Sequence, residues 1–167
     1  MTQTTTVRPA ALSDMPAISK LHAEAFGPGR FVRAAYRVRE GTPLVSPYCL
    51  VCMSAAGDLI AALRFTAIRI GGQGGHLMLG PLAVAASYAN QGYGRALIAE
   101  GLAHAKRDGV GLVLLVGDEP YYGRLGFQRV PMGQMRMPGP VDPLRLLAAE
   151  LRPGALAEAS GLITADV

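Results

Sequence analysis

The sequence predicts an α/β fold: a single domain, residues 1–167, whose mixed and mostly antiparallel central sheet holds one parallel strand pair and is flanked by helices. Three observations point there. Two apolar runs, 48–54 and 59–70, are joined by Ala55-Ala56-Gly57-Asp58 as a hairpin, and glycine-rich sequence at 71–75 turns the chain again into a third run, 77–84. That run leads into a segment with Leu97, Ile98, Leu102 and Ala105 on one helical stripe, and a strand-like run at 110–116 follows. Strand, helix and strand in that order form a crossover between parallel neighbours. Finally, 167 residues suit one domain of ordinary size with a real core, and neither an internal repeat nor a second domain is visible.

Taken in order, residues 4–8 read as a first strand. Ser13 or Asp14 caps a helix whose apolar positions include Met15, Ile18, Leu21 and Ala25 and which ends near Gly27-Pro28-Gly29. A short basic helix is expected over 31–40, carrying Arg33, Arg37 and Arg39, before Gly41-Thr42-Pro43 breaks it. Beyond the strand succession the crossover helix is expected over 91–106. After the strand at 110–116, Gly117-Asp118-Glu119-Pro120 forms a loop and helix start, with Pro120 early in the helix. A short helix over 121–125 ends at Gly126, and 127–130 resumes the sheet, with 133–137 as its expected partner. Residues 138–143 form an extended link, 144–151 reads as a terminal helix, and the tail from Arg152 carries little signal.

Composition narrows the function classes. Half of the residues are hydrophobic, yet no apolar run is long enough to span a membrane. The start, M-T-Q-T-T-T-V-R-P, lacks the apolar core of a signal peptide, so a soluble cytoplasmic protein with no membrane partner is expected. A net charge of +4 and a pI near 9.4 suit an anionic ligand and nucleic acid alike. The sixteen basic residues are scattered, with no dense run beside stacking aromatics, so no nucleic-acid partner is expected. Cys49 and Cys52 form a C-x-x-C inside an apolar run, but residues three apart on a strand face opposite sides. No second Cys or His pair completes a zinc site, so no metal is expected and the two read as core residues.

The loop between the third run and the crossover helix holds Gly92 and Gly94. Glycine allows a ligand to approach the main chain closely, and a helix N-terminus presents unpaired N–H groups and about half a positive charge. The loop therefore reads as a phosphate cradle, with an ordinary tight loop as the alternative. No Lys-Ser or Lys-Thr follows the glycines, so a Walker A loop is absent. Leu97 stands where a dinucleotide-binding loop needs glycine or alanine.

Gln91-Gly92-Tyr93-Gly94-Arg95-Ala96 matches the Q/R-x-x-G-x-G/A signature of the GNAT superfamily of N-acetyltransferases, and Leu82-Ala83-Val84 stands where that family's fourth strand ends. Tyr121-Tyr122-Gly123-Arg124-Leu125-Gly126-Phe127 looks like the family's Y-x-x-x-G-F segment. The run M-P-G-P-V-D-P-L-R-L-L further resembles the C-terminal part of the YhbS-like branch. The resemblance covers most of the chain and is strongest over 77–127. It implies that the parallel pair splays apart and admits the thioester end of acetyl-CoA, the co-substrate.

The resemblance also implies roles. Gln91, Gly92, Tyr93, Gly94, Arg95 and Ala96 stand at the pyrophosphate-binding positions, and Leu82, Ala83 and Val84 at those that hold the pantetheine arm and thioester. Tyr122 stands where the family's general acid usually stands, with Tyr121 as the adjacent fallback. A half-buried aromatic closing the core is the other reading of Tyr122. An attacking amine must lose a proton, at roughly 4 to 5 kcal/mol at pH 7. Some family members carry a glutamate in the fourth strand; here Met78-Leu79-Gly80-Pro81 holds no carboxylate. His76 is a general-base candidate if its strand extends that far, or else a solvated residue at a hairpin edge. Glu24 and Glu119 are weaker candidates, and a water chain requires none of them. Arg33, Arg37 and Arg39 form either a solvated face or, as the resemblance suggests, the border of an acceptor pocket drawing an acidic acceptor. Two departures stand out: Ala86 replaces the usual proline after the fourth strand, and the asparagine often found after the fifth is missing. The expected function is transfer of an acetyl group from acetyl-CoA to a primary amine by direct attack in a ternary complex. The acceptor is open among a small amine, an amino acid, an antibiotic and a protein amino group. A non-catalytic acyl-CoA-binding or sensing domain is the first alternative and a nucleic-acid-binding module the second. A homodimer is common in the family.

Overall fold

The computed structural model describes residues 4–26 and 34–167. Among the described residues nine strands form one sheet in the order β1-β2-β3-β4-β5-β8-β6, with β9 beside β3 and β7 beside β9. In chain order these are β1 (Thr5–Pro9), β2 (Leu50–Ser54), β3 (Leu59–Ile70), β4 (Gln73–Val84), β5 (Leu112–Val116), β6 (Phe127–Arg129), β7 (Met135–Arg136), β8 (Leu146–Glu150) and β9 (Gly161–Ala165). The helices are α1 (Met15–Phe26), α2 (Ala34–Arg39), α3 (Tyr93–Arg107), α4 (Glu119–Tyr122) and α5 (Ala155–Glu158). The sheet is mixed: β4 and β5 are parallel neighbours across the α3 crossover, while β1 to β4 and β5, β8 and β6 run antiparallel to their neighbours. The Gly27-Pro28-Gly29 stop, and Arg33 with the first part of the expected basic helix, lie outside the described residues.

Alternation along the strands sorts the core onto two faces. Leu63, Phe65, Leu77, Leu79, Val113 and Leu115 pack with Leu97 and Ile98 of α3. Burying each such side chain contributes about 1.5–3 kcal/mol relative to leaving it exposed. On the opposite face Val51, Ala62 and Ala83 pack with Ile18 and Leu21 of α1, and Met78, Leu112 and Leu114 form a second cluster with Val38 of α2. The cysteines obey the same rule: Cys49 is buried on the α1 face, Cys52 on the α3 face, and both are free thiols. Helix α3 lies so close to the sheet that a Cβ on Gly101 would stand 2.5 Å from the Phe65 ring.

Three expectations are corrected. Residues 144–151 are not a terminal helix: Asp142 accepts from the Leu144 N–H at 2.9 Å in a short 3-10 turn, and β8 follows. Leu146 and Ala148 serve one core face, Leu147 and Ala149 the other, and β5 and β6 pair with both edges. A run apolar on every side is what a strand buried on both faces requires, and pairing overrides the helix propensity of Leu and Ala. The strand inside 133–137 pairs with β9 and not with β6. The tail supplies α5 and β9, the latter beside the end of β3. The β3–β4 turn is also shorter than expected. Gly71 and Gly72, at φ 59° and 84°, complete it as a two-residue hairpin loop, so Gly74, Gly75 and His76 belong to β4. Among the described residues no helix is long and apolar enough to cross a membrane.

Candidate active site

The site begins where two parallel strands part. β4 pairs with β5 only at Leu77–Val113 and Met78–Leu114, although β4 continues to Val84 and β5 to Val116. The parting coincides with a bulge: Phe65 faces Leu79 and Leu63 faces Leu82, so Arg64 of β3 opposes both Gly80 and Pro81. A cavity of about 700 Å³ occupies the opening. Its walls include Leu79 to Leu82 of β4, Leu115 to Asp118 at the end of β5, and Tyr122 of α4. On the far side they include Met15, Ile18, His22 and Phe26 of α1, Arg39 of α2 and Arg64 of β3.

Beyond the bulge, β4 keeps one bonded edge. The Ala85 N–H donates to the Ile60 carbonyl at 2.8 Å, which turns Ala83 toward β3 as well by strand alternation. Leu82 and Val84 therefore aim their N–H and C=O groups at the open side. Ala83 is instead bonded toward β3, with its methyl packed beneath α1.

The N-terminus of α3 adjoins this open edge. Asn90 and Gly92 adopt left-handed φ angles of 60° and 89°, and no side chain caps the helix. The N–H groups of Gly92, Tyr93, Gly94 and Arg95 therefore lack intrahelical partners, whereas the Ala96 N–H already bonds the Gly92 carbonyl at 3.0 Å. The Gln91 amide side chain folds back to the Ser87 carbonyl at 3.4 Å. Gly94 is where helix and strand meet: a Cβ there would stand 3.3 Å from Leu82, 3.5 Å from Val84 and 3.6 Å from the Tyr121 hydroxyl. Strand edge and helix terminus thus form one continuous polar backbone surface.

Tyr122 stands at the mouth of β5 on the α3 face. Asp118 precedes α4, and its carbonyl accepts the Tyr121 and Tyr122 N–H groups, which fixes the start of that turn. The Tyr122 ring lies against Gly117, where a Cβ would come within 2.5 Å of its Cε2, and meets Phe127 edge-on at 5.9 Å. Burial, with help from Tyr121 and Asp118, pushes its phenol above the ordinary value of 10, against the pull of Arg145. The group stays protonated at neutral pH and can donate a proton into the cavity.

The structure does not bring His76 to this place. It lies in the first half of β4, opposite Ile68, buried, with Nδ1 accepting the Leu112 N–H at 3.1 Å. Burial, then the Arg152 charge, pushes its imidazole below 6.5. His76 is thus a structural acceptor at the paired end of β4, outside the cavity, and neither a base beside Tyr122 nor a solvated hairpin residue. Glu24 is exposed outside the cavity, and Glu119 is paired with Arg129 at 3.0 Å. Of the basic residues expected near an acceptor pocket, Arg39 reaches the cavity, while Arg37 lies against Gly139.

Several lining residues were not singled out from the sequence: His22, Arg64, Asp118, Asp142 and Arg145. His22 shares a helical stripe with Met15, Ile18, Ser19 and Phe26, a spacing that would have placed it on this wall. Arg64 and Arg145 had no comparable signal, because a charged residue in or before a strand reads as solvated. Asp118 is held by Arg145 at 3.4 Å. Among the described residues there is no cluster of three or more His, Cys, Asp or Glu able to hold a metal ion.

A family model described as "Acetyltransferase (GNAT) domain" matches residues 6–130. The protein named "Uncharacterized N-acetyltransferase YhbS" of Escherichia coli strain K12 is 27% identical over 151 residues, which is 90% of this chain and 89% of that protein. A crystal structure of Escherichia coli YhbS in complex with CoA superposes with a TM-score of 0.83 at 25% identity, covering 99% of this chain and 91% of that one. A GNAT family acetyltransferase from Brucella melitensis, in complex with acetyl-CoA, gives a TM-score of 0.63 at 25% identity over 89% of this chain and 97% of that one.

Proposed function

The chain belongs to the GNAT family of acetyltransferases, and from that premise we propose that it moves an acetyl group from acetyl-CoA to a primary amine by direct attack within a ternary complex. One observation carries the reading: the open edge of β4 and the protonated Tyr122 phenol border the same opening, and the uncapped start of α3 adjoins that edge at Gly94. The crystallised relatives from Escherichia coli and Brucella melitensis hold CoA and acetyl-CoA, which supports the choice of donor.

In this mechanism the N–H groups of Gly92 to Arg95 bind the pyrophosphate. Gly92 permits the turn, and Gln91 and Ala96 shape the loop and the first helical turn. Leu82 and Val84 hold the pantetheine arm through their main-chain groups. An N–H of that edge aimed at the thioester oxygen contributes roughly 3–4 kcal/mol to stabilising the negative charge that develops there. As the amine nitrogen bonds the acetyl carbon, the carbon–sulfur bond breaks and its electron pair leaves on sulfur. Tyr122 gives its phenolic proton to that sulfur. The nitrogen releases its excess proton to water and the phenol is restored from water, so atoms and charge balance.

The test pairs calorimetric titration of acetyl-CoA with turnover assays on an amine panel, using the wild type and Tyr122→Phe. Lost turnover with retained coenzyme binding supports the assignment. A wild type that binds coenzyme but acetylates no amine in the panel would instead favour an acyl-CoA sensor.

A further inference from the structure

Two neighbouring phenols point to different places. Tyr121 and Tyr122 follow one another in α4, yet their rings stand at 86° with centroids 4.8 Å apart. Tyr122 packs against Gly117 and Phe127 and lines the cavity at the end of β5. Tyr121 is 41% exposed and lies outside that cavity. Its hydroxyl reaches instead to the start of α3, where a Cβ on Gly94 would stand 3.6 Å from it. The same point is 3.3 Å from Leu82 Cδ2 and 3.5 Å from Val84 Cγ2, so the hydroxyl overlooks the place where the open edge of β4 meets the uncapped helix. The Asp118 carbonyl accepts from the Tyr121 N–H at 3.2 Å and from the Tyr122 N–H at 3.0 Å, which fixes the backbone from which the two side chains diverge. Among the described residues nothing hydrogen-bonds the Tyr121 hydroxyl.

We propose that Tyr121 is a coenzyme-binding residue: its hydroxyl donates to a diphosphate oxygen of acetyl-CoA beside the Gly94 N–H, and proton donation to the leaving sulfur belongs to Tyr122 alone. This rests on the acetyl-CoA reading above. Covalent geometry puts a residue's nitrogen about 2.5 Å from its Cβ, so the Tyr121 oxygen is within roughly 6 Å of the Gly94 nitrogen. A phosphate group with one oxygen accepting from that N–H at about 2.9 Å brings another within reach of the hydroxyl. The bond is charge-assisted, because its acceptor is an anion, and it adds a side-chain donor to a cradle otherwise made of main-chain groups. The Tyr121 hydroxyl is turned to the helix start rather than to the cavity at the end of β5, which separates it from the thioester that Tyr122 faces.

The experiment titrates CoA into the wild type, Tyr121→Phe and Tyr121→Leu by calorimetry, follows acetyl-CoA-dependent thiol release in each, and determines the structure of the CoA-loaded wild type. Tyr121→Phe keeps the ring and should weaken CoA about tenfold, the size of one hydrogen bond to a charged acceptor. KM for acetyl-CoA should rise by a similar factor, with kcat at saturating coenzyme unchanged. That split is the reverse of the one expected for Tyr122→Phe, and a role in packing alone would not produce it. Tyr121→Leu should lose about as much affinity as Tyr121→Phe. In the loaded structure the hydroxyl should stand within hydrogen-bond distance of a diphosphate oxygen. Unchanged CoA affinity in Tyr121→Phe overturns the inference, and so does a loss confined to Tyr121→Leu, which assigns the ring to packing. A fall in kcat with KM unchanged would make Tyr121 the acid, and a hydroxyl bonded to the pantetheine arm would take it off the diphosphate; either result refutes the proposal. If the wild type binds CoA but acetylates no amine, calorimetry and the loaded structure decide by themselves. A wild type that binds no CoA would instead overturn the parent reading.

Discussion

Replacing Tyr122 by phenylalanine removes one oxygen and keeps the ring that packs against Gly117 and meets Phe127 edge-on. The size of the effect follows from the leaving group. A thiol of pKa near 8.5 is about 1.5 units above neutral pH, so protonating the departing sulfur at pH 7 is worth about 2 kcal/mol, or roughly 30-fold. General-acid catalysis in which proton transfer accompanies bond breaking reaches about 10² and beyond. The expected loss in kcat is therefore about 30-fold to a few hundred-fold, with the coenzyme Kd within about twofold of the wild type. Steady-state thiol release and calorimetry measure the two quantities. The pH profile gives a second check with a defined sign. Burial holds the phenol protonated past its ordinary value of 10, so Tyr122 gives the wild type no falling limb between pH 6 and 9. A loss in kcat under threefold, a collapse of coenzyme affinity, or a falling limb near pH 7–8 that the variant abolishes would each refute this account.

Gly92→Ala forces a side chain into a φ of 89°, at a cost of about 1–2 kcal/mol. Coenzyme affinity should fall about tenfold in calorimetry while the melting temperature changes by a few degrees. Asp14 is gripped by both Arg8 nitrogens at 2.8 Å and by the Ala11 N–H, which lowers its pKa from 3.8 to about 2. The stabilisation is complete above the unfolded value and lost as pH falls through about 2. After discounting for the partly exposed Arg8, Asp14→Asn should cost about 1 kcal/mol in denaturant midpoints at pH 7, with the gap closing between pH 4 and 2. His76 is held neutral in the fold, so the unfolded chain takes up the extra proton below pH 6.5 and stability declines there as pH falls. His76→Gln should flatten that decline and leave kcat unchanged, and a large loss of kcat would return His76 to the mechanism.

The crossover was legible because its three parts carry unmistakable periodicities: the apolar run before Val84, the stripe through Leu97, Ile98, Leu102 and Ala105, and the run into Val116. β8 was not, since Leu146-Leu147-Ala148-Ala149 is apolar at every position, and buried strand and buried helix look alike at that length. His76 follows a five-residue glycine-rich stretch of which only Gly71 and Gly72 form the turn, which places the histidine in the sheet and not at a hairpin edge. The glycine loop and Tyr122 were visible through local motifs. Of the α1 wall only Arg39 was visible in this way, because Arg64 joins it through Thr42, in the loop after α2, which folding alone brings to β3. Local chemistry is written in neighbouring letters, whereas a pocket wall assembled from separate segments exists only after folding.

The parting of β4 from β5 leaves half of a central strand with a bare ladder of donors and acceptors on one side. Sheets ordinarily guard such ladders, because any extended chain can zip onto them and seed aggregation. Here the bare stretch is short, limited to the part of β4 beyond Met78. A ligand lying along it would act as a removable guard strand, making the empty protein the sticky form and the loaded one the form that keeps in concentrated solution.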